Sequence, residues 1–187
     1  HYSKCAKDEI LKDGSLVLID CGAYYEGGLA TDCTRVFVKG EPSELQKEVY
    51  TKVLKAFLNA ISTEVTQKTS GYDLDKIARD ILNEIKPKGF EFSHSLGHGI
   101  GISVHENPPS LSPSEMGKTI LKPNMCFTIE PGLYNSREFG VRLENSCYLD
   151  KNYVIQSFSS MPFEKKLINF NLLTPNEKKK LAHFKLI

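Results

Sequence analysis

Four acidic residues stand at strand-like positions where a carboxylate could bind a metal ion. Asp20 closes the segment SLVLID, Asp32 opens TDCTRVFV, Glu130 ends MCFTIE and Glu144 lies within GVRLENSCYL. A buried carboxylate is costly unless it is paired, hydrogen-bonded or bound to a metal. One such residue is commonly a turn cap or the partner of a nearby base. Four of them beside a histidine-rich segment indicate a metal site.

The histidine-rich segment is FSHSLGHGIGISVHENP, which spans residues 92–108 and contains His94, His98 and His105. Its glycines do not follow the spacing of a dinucleotide- or phosphate-binding loop. Glycine has no Cβ and allows the backbone to pass close to a crowded centre, so we expect the segment to deliver His98 to metal. The other two histidines are expected to bind substrate or to donate hydrogen bonds to an oxyanion. The alternative is three unrelated polar histidines.

Charge and ligand type constrain the metal. Four carboxylates carry four negative charges, which two divalent cations balance while leaving room for a bridging hydroxide. An oxygen-rich set with one imidazole favours Mn²⁺ or Co²⁺ over a structural thiolate zinc site, and Zn²⁺ in a catalytic role stays an alternative. Paired metals lower the pKa of bound water and polarise a carbonyl, which amide hydrolysis requires.

Strand parity places a hydrogen-bond donor beside three of the acids, because residues two apart share a face of the sheet. The predicted pairs are Arg142 with Glu144, Thr34 with Asp32, and Thr128 with Glu130. The same parity turns Cys21, Cys33 and Cys147 away from the acids. We therefore expect these thiols to be small core residues rather than metal ligands.

Composition limits the classes of function. The chain has 187 residues, enough for one domain, and its 24 basic and 23 acidic residues leave a net charge of +1. Such a balance gives no general attraction to nucleic acid or membrane surfaces. Five scattered cysteines without a C-x-x-C pair favour a reducing, cytoplasmic compartment. No apolar run approaches the roughly 20 residues of a membrane span, and no signal-peptide pattern is present.

The sequence also predicts the strands and helices that position these residues. Segments 15–20 and 31–38 are rich in β-branched residues and flank a glycine-containing connection, which predicts a hairpin. Further strands are predicted at 125–130, 140–149 and 153–158. Together with the helices, these strands predict an α+β fold with a mostly antiparallel sheet and helices on one side.

Three helices are predicted from apolar periodicity and capping residues. Ser43 and Gln46 form a capping box before a stripe of apolar residues that recur every four positions. The second helix is predicted to have Asp73 as its N-cap. The third, near the C-terminus, has Thr174 as N-cap and Pro175 at its first position.

The motifs LIDCGAYYEGGLATDCTRVF, HSLGHGIGISVHENP, TIEPGLY and GVRLEN occur in this order over about residues 1–150. They resemble the motif series of the pita-bread metallopeptidases, in the branch of the Xaa-Pro aminopeptidases (aminopeptidase P) and prolidases. The resemblance implies the pita-bread fold, a curved, mostly antiparallel sheet with helices on its outer face. It implies a catalytic domain at 1–158, followed by a tail with a short helix at 159–187. It also implies that the native polypeptide has N-terminal parts of the domain that this chain lacks.

The resemblance also implies a role for each residue of the site. Two divalent ions, most simply Mn²⁺, would be held by Asp20, Asp32, His98, Glu130 and Glu144. Asp32 and Glu144 would bridge the ions, His98 and Glu130 would complete one site, and Asp20 the other. His105 corresponds to the histidine that stabilises the tetrahedral intermediate, His94 to a substrate-binding histidine and Arg142 to an arginine behind the ligands. The opening residues "HY" suggest His1 as a further substrate-pocket histidine.

The implied activity is release of the N-terminal residue from peptides with proline in second position, by a hydroxide that bridges the two metals. Thr34-Arg35 and Arg142 favour the proline-directed enzymes over methionine aminopeptidases, and the tail resembles that of long Xaa-Pro aminopeptidases. The alternatives are an Xaa-Pro dipeptidase, a metal-free creatinase-like hydrolase and an inactive pita-bread module that binds protein or nucleic acid. The expected partner is a proline-containing peptide, and a homodimer of the full-length protein is compatible with the resemblance. The Asp20–Asp32 interval is one residue longer than the family pattern, which predicts an insertion or bulge in the hairpin connection.

Overall fold

A computed structural model describes residues 10–187, so His1 lies outside the described part of the chain. The predicted hairpin is confirmed. Strands β1 (Leu16–Cys21) and β4 (Cys33–Val38) pair antiparallel, with Asp20 opposite Thr34. The glycine-containing connection between them forms a smaller hairpin from β2 (Tyr24–Tyr25) and β3 (Leu29–Ala30).

Helix α1 (Glu44–Ile61) begins with the predicted capping box, in which Ser43 accepts from the backbone of Gln46 and Gln46 accepts from that of Ser43. Its apolar stripe is buried, and the helix packs against α2 (Gly71–Ile85) and against the strands after it. Satisfying the free N–H groups of the first turn in this way fixes where the helix starts.

The predicted N-cap of helix α2 is wrong by three residues. Ser70 is the N-cap, and Asp73 sits at the third helical position, where its carboxylate closes a capping box onto Ser70. The motif S-x-x-D therefore marks this start, as S-x-x-Q marks that of α1. Helix α3 (Pro175–Leu181) starts as predicted, with Thr174 as N-cap and Pro175 in the first turn.

The second half of the chain supplies seven short strands. They are β5 (Gly97–His98), β6 (Ser110–Leu111), β7 (Cys126–Ile129), β8 (Gly132–Tyr134), β9 (Gly140–Arg142), β10 (Asn145–Leu149) and β11 (Ile155–Ser157). The named strands in the described region all pair antiparallel, with β10 between β7 and β11, and β8 beside β9. The continuous strand predicted at 140–149 is wrong, because it breaks between β9 and β10, and Glu144 lies in the break. The α+β class is confirmed.

The C-terminal segment packs on helix α1. The Phe163 ring meets that of Phe57 edge-on, with 5.4 Å between ring centroids. The Glu177 carboxylate forms an ion pair of 2.6 Å with Lys55, which is mostly buried. A domain boundary at 158/159 stays a prediction. Across residues 10–187 no helix is both long enough and apolar enough to cross a membrane.

Candidate active site

A cleft of about 400 Å³ lies between the β1–β4 hairpin and the strands of the second half. All five predicted metal ligands line it, together with His105: Asp20, Asp32, His98, Glu130, Glu144. These residues come from widely separated parts of the sequence, so their meeting is a result of the fold. If each acid were only a turn cap, their meeting in one cleft would have no explanation.

His98 is oriented as a metal-binding imidazole. Its Nδ1 lies 2.9 Å from the carbonyl oxygen of Gly99. Because a carbonyl only accepts, Nδ1 carries a proton, so Nε2 faces the cleft and can offer a lone pair to a cation that replaces its proton. Nε2 lies 3.6 Å from Asp32 Oδ2 and 3.5 Å from Glu130 Oε1.

The backbone delivers His98 through a close approach that requires glycine. A Cβ at Gly97 would lie 1.9 Å from the carbonyl oxygen of Thr128, which no side chain could accommodate without moving the strand. The amide of His98 also donates to Thr128 Oγ1, at 3.2 Å. Strand β5 is thus held directly against β7, whose end carries Glu130.

Glu144 is the most deeply buried acid of the cleft, with 2% of its surface exposed. Thr34 Oγ1 donates to Glu144 Oε2 at 2.6 Å, and the Glu144 amide donates to the Thr34 carbonyl at 3.1 Å. The guanidinium of Arg35, also buried, donates to the Glu144 carbonyl at 2.6 Å. The predicted pairing of Thr34 with Asp32 is wrong, because the break after β9 brings Glu144 onto β4 at Thr34.

Asp32 is fixed through its main chain by a residue that sequence reasoning did not single out. The Asp32 amide donates to Ser146 Oγ at 3.1 Å, and the same hydroxyl donates to the Asp32 carbonyl at 2.6 Å. Ser146 lies next to buried residues of β10, and nothing in its local sequence distinguishes it from an ordinary strand serine.

Arg142 bridges two of the acids but does not contact Glu144 as strand parity predicted. Its guanidinium forms an ion pair with Asp20, and its Nε lies 3.8 Å from Glu130 Oε2. The predicted donor of Glu130 is confirmed, since Thr128 Oγ1 lies 3.3 Å from Glu130 Oε1. Parity failed for Arg142 because β9 ends there and Glu144 no longer belongs to the same strand.

A chain of hydrogen bonds connects His94 with Arg142. His94 Nδ1 lies 2.8 Å from the carbonyl of Ser95, so Nδ1 is the donor and Nε2 accepts from the Tyr134 hydroxyl, also at 2.8 Å. The Tyr134 oxygen in turn accepts from Arg142 at 3.2 Å. Burial lowers the pKa of His94, which favours this neutral ring.

Tyr134 was missed by the sequence reasoning, although a signal was present. It shares strand parity with Glu130 and Gly132 in the motif EPGLY. A Cβ at Gly132 would lie 2.4 Å from the Tyr134 hydroxyl, so the glycine leaves the space into which the ring folds back. An aromatic residue two positions after such a glycine, on the face of a predicted ligand, could have been identified.

His105 lies beside the predicted metal ligands. Its ring centroid is 4.3 Å from that of His98, and it lines both the main cleft and a second cleft of about 490 Å³. His94, Glu130 and Arg142 line this second cleft as well, and the two clefts share His98, His105 and Glu130. A bound molecule could reach His94 and His105 from the same opening.

The donor set fits divalent cations. One ligand atom each of Asp32, His98 and Glu144 lie within 4.8 Å of one another. Burial, together with the charges of Glu130 and Asp32, raises the pKa of Glu144 to about 8. Burial also raises the pKa of Glu130 to about 7, despite the opposing charges of His98 and Arg142. Acids that resist ionisation when crowded together are those that a cation between them would stabilise.

The pKa of His98 is raised as well, but by the neighbouring acids and not by burial. Burial by itself lowers its pKa, but the interactions with Asp32 and the Gly99 carbonyl, and the charge of Glu130, outweigh burial and raise the pKa to about 9. The prediction that Cys21 is a core residue is wrong, because Cys21 is exposed and lines the cleft. Cys33 and Cys147 are not part of this arrangement. Cys147 is fully buried, and the Cys33 thiol contacts the carbonyl of Glu144 and the hydroxyl of Ser159.

An α+β fold whose cleft gathers four carboxylates around His98, with His105 beside them, provides a candidate metal site. The family model of metallopeptidase family M24 matches residues 1–151. The chain belongs to this family and has part of its pita-bread fold. It is 42% identical over 147 residues to the Xaa-Pro dipeptidase of Pyrococcus horikoshii, a match that covers 79% of this chain and 40% of the relative.

Two other relatives match more of the chain. Aminopeptidase P1 of Lotus japonicus is 36% identical over 194 residues, which covers 95% of this chain and 28% of the relative. The crystal structure of the X-prolyl aminopeptidase of Caenorhabditis elegans, described as a cytosolic enzyme with a di-nuclear active site, is 28% identical. It superposes with a TM-score of 0.79 over 91% of this chain and 29% of that one. This chain therefore spans well under half of each of these relatives.

Proposed function

We propose that this chain is the metal-binding part of an Xaa-Pro aminopeptidase, which releases the N-terminal residue of peptides with proline in second position. The observation that supports the proposal best is the convergence of five predicted ligands and two histidines on connected clefts. Membership of family M24 agrees with it, and the relatives include both Xaa-Pro dipeptidases and Xaa-Pro aminopeptidases.

In this proposal two divalent ions are held by Asp20, Asp32, His98, Glu130 and Glu144. The oxygen-rich set favours Mn²⁺. When bound, such ions lower the pKa of coordinated water and polarise the scissile carbonyl. We further place the enzyme in the cytoplasm, because four of its cysteines are free.

The side chains around the ions have separate tasks. Glu130 takes the proton of the attacking water at a carboxylate oxygen, and its side chain lines both clefts. His105 donates a hydrogen bond to the oxyanion from the opening of the cleft. His94 contacts the substrate, and Arg142 orients Asp20 and Glu130 from behind.

Two observations favour the aminopeptidase over the dipeptidase. The match with the aminopeptidase of Lotus japonicus covers 95% of this chain, whereas the match with the Pyrococcus dipeptidase covers 79%. The second cleft also continues past His94 to Ser95, Asn107 and Ser110, and offers polar groups to a peptide longer than two residues.

The test is turnover of Xaa-Pro peptides by the complete native polypeptide after metal removal and addition of Mn²⁺. A dipeptide such as Ala-Pro is compared with a longer peptide that has the same first two residues. We expect metal-dependent release of the first residue from the longer peptide. Cleavage of the dipeptide alone would assign a dipeptidase, and lack of metal uptake would favour the inactive binding module.

A further inference from the structure

An ion pair between the buried Asp75 and the partly exposed Arg79, on helix α2, lies outside the active site described above. Asp75 is 1% exposed, and both of its carboxylate oxygens bind Arg79, at 2.8 Å from Nε and 2.9 Å from Nη2. The attraction within a buried pair is largely offset by the cost of removing both charges from water. The role of the pair therefore depends on what else its atoms hold.

Arg79 holds the main chain on either side of Ser93. It donates to the carbonyl of Phe92 at 3.2 Å and to that of His94 at 2.8 Å. Its guanidinium also lies over the Phe92 ring, 4.4 Å from the centroid, and that ring meets the His94 ring edge-on at 5.0 Å. One side chain thus fixes both the main chain at His94 and the ring against which its imidazole rests.

Asp75 extends the same support toward the metal ligands. Its Oδ1 accepts from the amide of Leu96 at 3.0 Å, and the carbonyl of Leu96 accepts from the amide of Glu130 at 2.7 Å. Leu96 lies midway between His94 and His98. A helix on the outside of the site is therefore bonded to the main chain that carries the histidines.

We propose that Asp75 and Arg79 are positioning residues that set the place of His94 for the substrate. They touch neither the cleft acids nor the reacting atoms and act through the main chain of residues 92–96. The planar guanidinium satisfies two carbonyls and a carboxylate at once, which a lysine ammonium cannot reproduce in the same geometry. This inference rests on the proposed function, because it takes His94 as a substrate-binding residue.

Helix α2 provides its own control. Lys76 and Asp80 form an ion pair with the same four-residue spacing, but both side chains are more than half exposed and the pair holds no loop. Arg79→Lys should raise KM for an Xaa-Pro peptide by about tenfold in the complete, metal-loaded enzyme, since small misplacements of binding groups have effects of this size. We expect kcat, metal content and the far-UV circular dichroism to stay close to those of the parent, and Lys76→Met to change none of them.

A second measurement does not depend on catalysis. In metal-free protein labelled with ¹⁵N-histidine, Arg79→Lys should shift the imidazole resonances of His94, and Lys76→Met should leave them in place. Asp75→Asn keeps one oxygen that can accept from Leu96 and from Arg79 Nη2, but it removes the charge and replaces the acceptor of Arg79 Nε by an NH2 group. A shift in the same direction is expected. This variant also serves as the test variant if Arg79→Lys does not fold.

The outcomes are distinguishable. Unchanged KM and unchanged His94 resonances in a folded Arg79→Lys or Asp75→Asn variant overturn the proposal, even if the melting temperature falls. Parent enzyme without activity on any Xaa-Pro peptide would instead refute the proposed function, and the resonances would still decide whether the pair positions His94.

Discussion

The floor and the rim of the cleft are held in different ways. The floor consists of Asp32, His98, Glu130 and Glu144. The side chains of the first three are at most 18% exposed, and Glu144 is 2% exposed. The rim is represented by Asp20, whose side chain is 49% exposed at the end of β1. Both carry predicted ligands, but only the floor is enclosed by the described part of the chain.

The difference lies in how many contacts fix each ligand. Glu144 is held by the Thr34 hydroxyl, through its own amide by the Thr34 carbonyl, and through its carbonyl by Arg35. Asp20 has one polar side-chain partner among the described residues, the guanidinium of Arg142. Several bonds hold a ligand in one geometry before metal binds, whereas a single exposed ion pair does so weakly. We therefore expect substitutions in the floor to have larger effects than those in the rim.

The largest effect is expected from removing a ligand of the floor. His98→Ala or Asp32→Ala should abolish metal-dependent cleavage. Loss of a residue that only hydrogen-bonds to a metal ligand lowers metal affinity by roughly 10–100-fold, and loss of the ligand itself should lower it by more. Isothermal titration with Mn²⁺ and peptide turnover measure both. His183→Ala, in the tail, should match the parent. Metal-dependent activity that survives either floor substitution contradicts the assignment.

A smaller effect is expected from removing the hydrogen bond that Thr34 donates to the floor residue Glu144. Thr34→Val keeps the shape of the side chain but leaves Glu144 Oε2 and Arg142 Nε without this partner. Metal affinity should fall by about 10–100-fold while the fold is retained. Thr63→Val is the control. It removes the hydrogen bond that the Thr63 hydroxyl, just after α1, donates to the carbonyl of Asn59, and it should leave metal affinity unchanged. Equal affinities in both variants would mean that Thr34 does not orient the ligand.

The sequence predicted which acids line the cleft better than it predicted their hydrogen-bond partners. Asp20, Asp32 and Glu130 stand at strand ends, and local patterns of apolar residues are enough to mark such positions. The partners behind them depend on where strands break and which strands meet. Thr34 supports Glu144 rather than Asp32 because the chain leaves β9 before Glu144, and no local pattern showed that break.

Local sequence patterns were also insufficient for one helix start and for two residues that support the site. The start of α1 was predicted because Ser43 and Gln46 form a capping box within four residues, and the start of α2 was misplaced because Asp73 was read as the cap and not as its partner. Ser146 and Tyr134 act across long sequence separations. Single-sequence periodicity carries no information on such contacts.

The free energy of unfolding should depend on pH differently in metal-free and in metal-bound protein. Folding raises the pKa of Glu144 from 4.5 to about 8 and that of Glu130 to about 7, so the folded protein keeps protons that the unfolded chain loses. The pKa of His98 rises from 6.5 to about 9. All three shifts act in one direction: the stability that they contribute is present at low pH and is lost as pH rises through the folded values.

Metal-free protein should therefore become less stable between about pH 5 and pH 9, and bound metal should add more stability at the upper end because it replaces these protons. Urea unfolding of the complete polypeptide, with chelator and with Mn²⁺, measures both curves. Glu144→Gln should flatten the metal-free curve. A metal-free protein whose stability does not fall over this range would show that the floor acids are not held protonated.

The smallest effect on folding is expected at the rim. Asp20→Asn keeps the size of the side chain and removes its charge, and because the residue is half exposed, the free energy of unfolding should change by no more than about 0.5 kcal/mol. If Asp20 completes only one of the two metal sites, the variant should bind one Mn²⁺ instead of two. The affinity for the remaining ion should change less than in Thr34→Val, since the floor ligands are untouched. Loss of both ions would show that rim and floor form a single cooperative site, and the distinction drawn between them would be wrong.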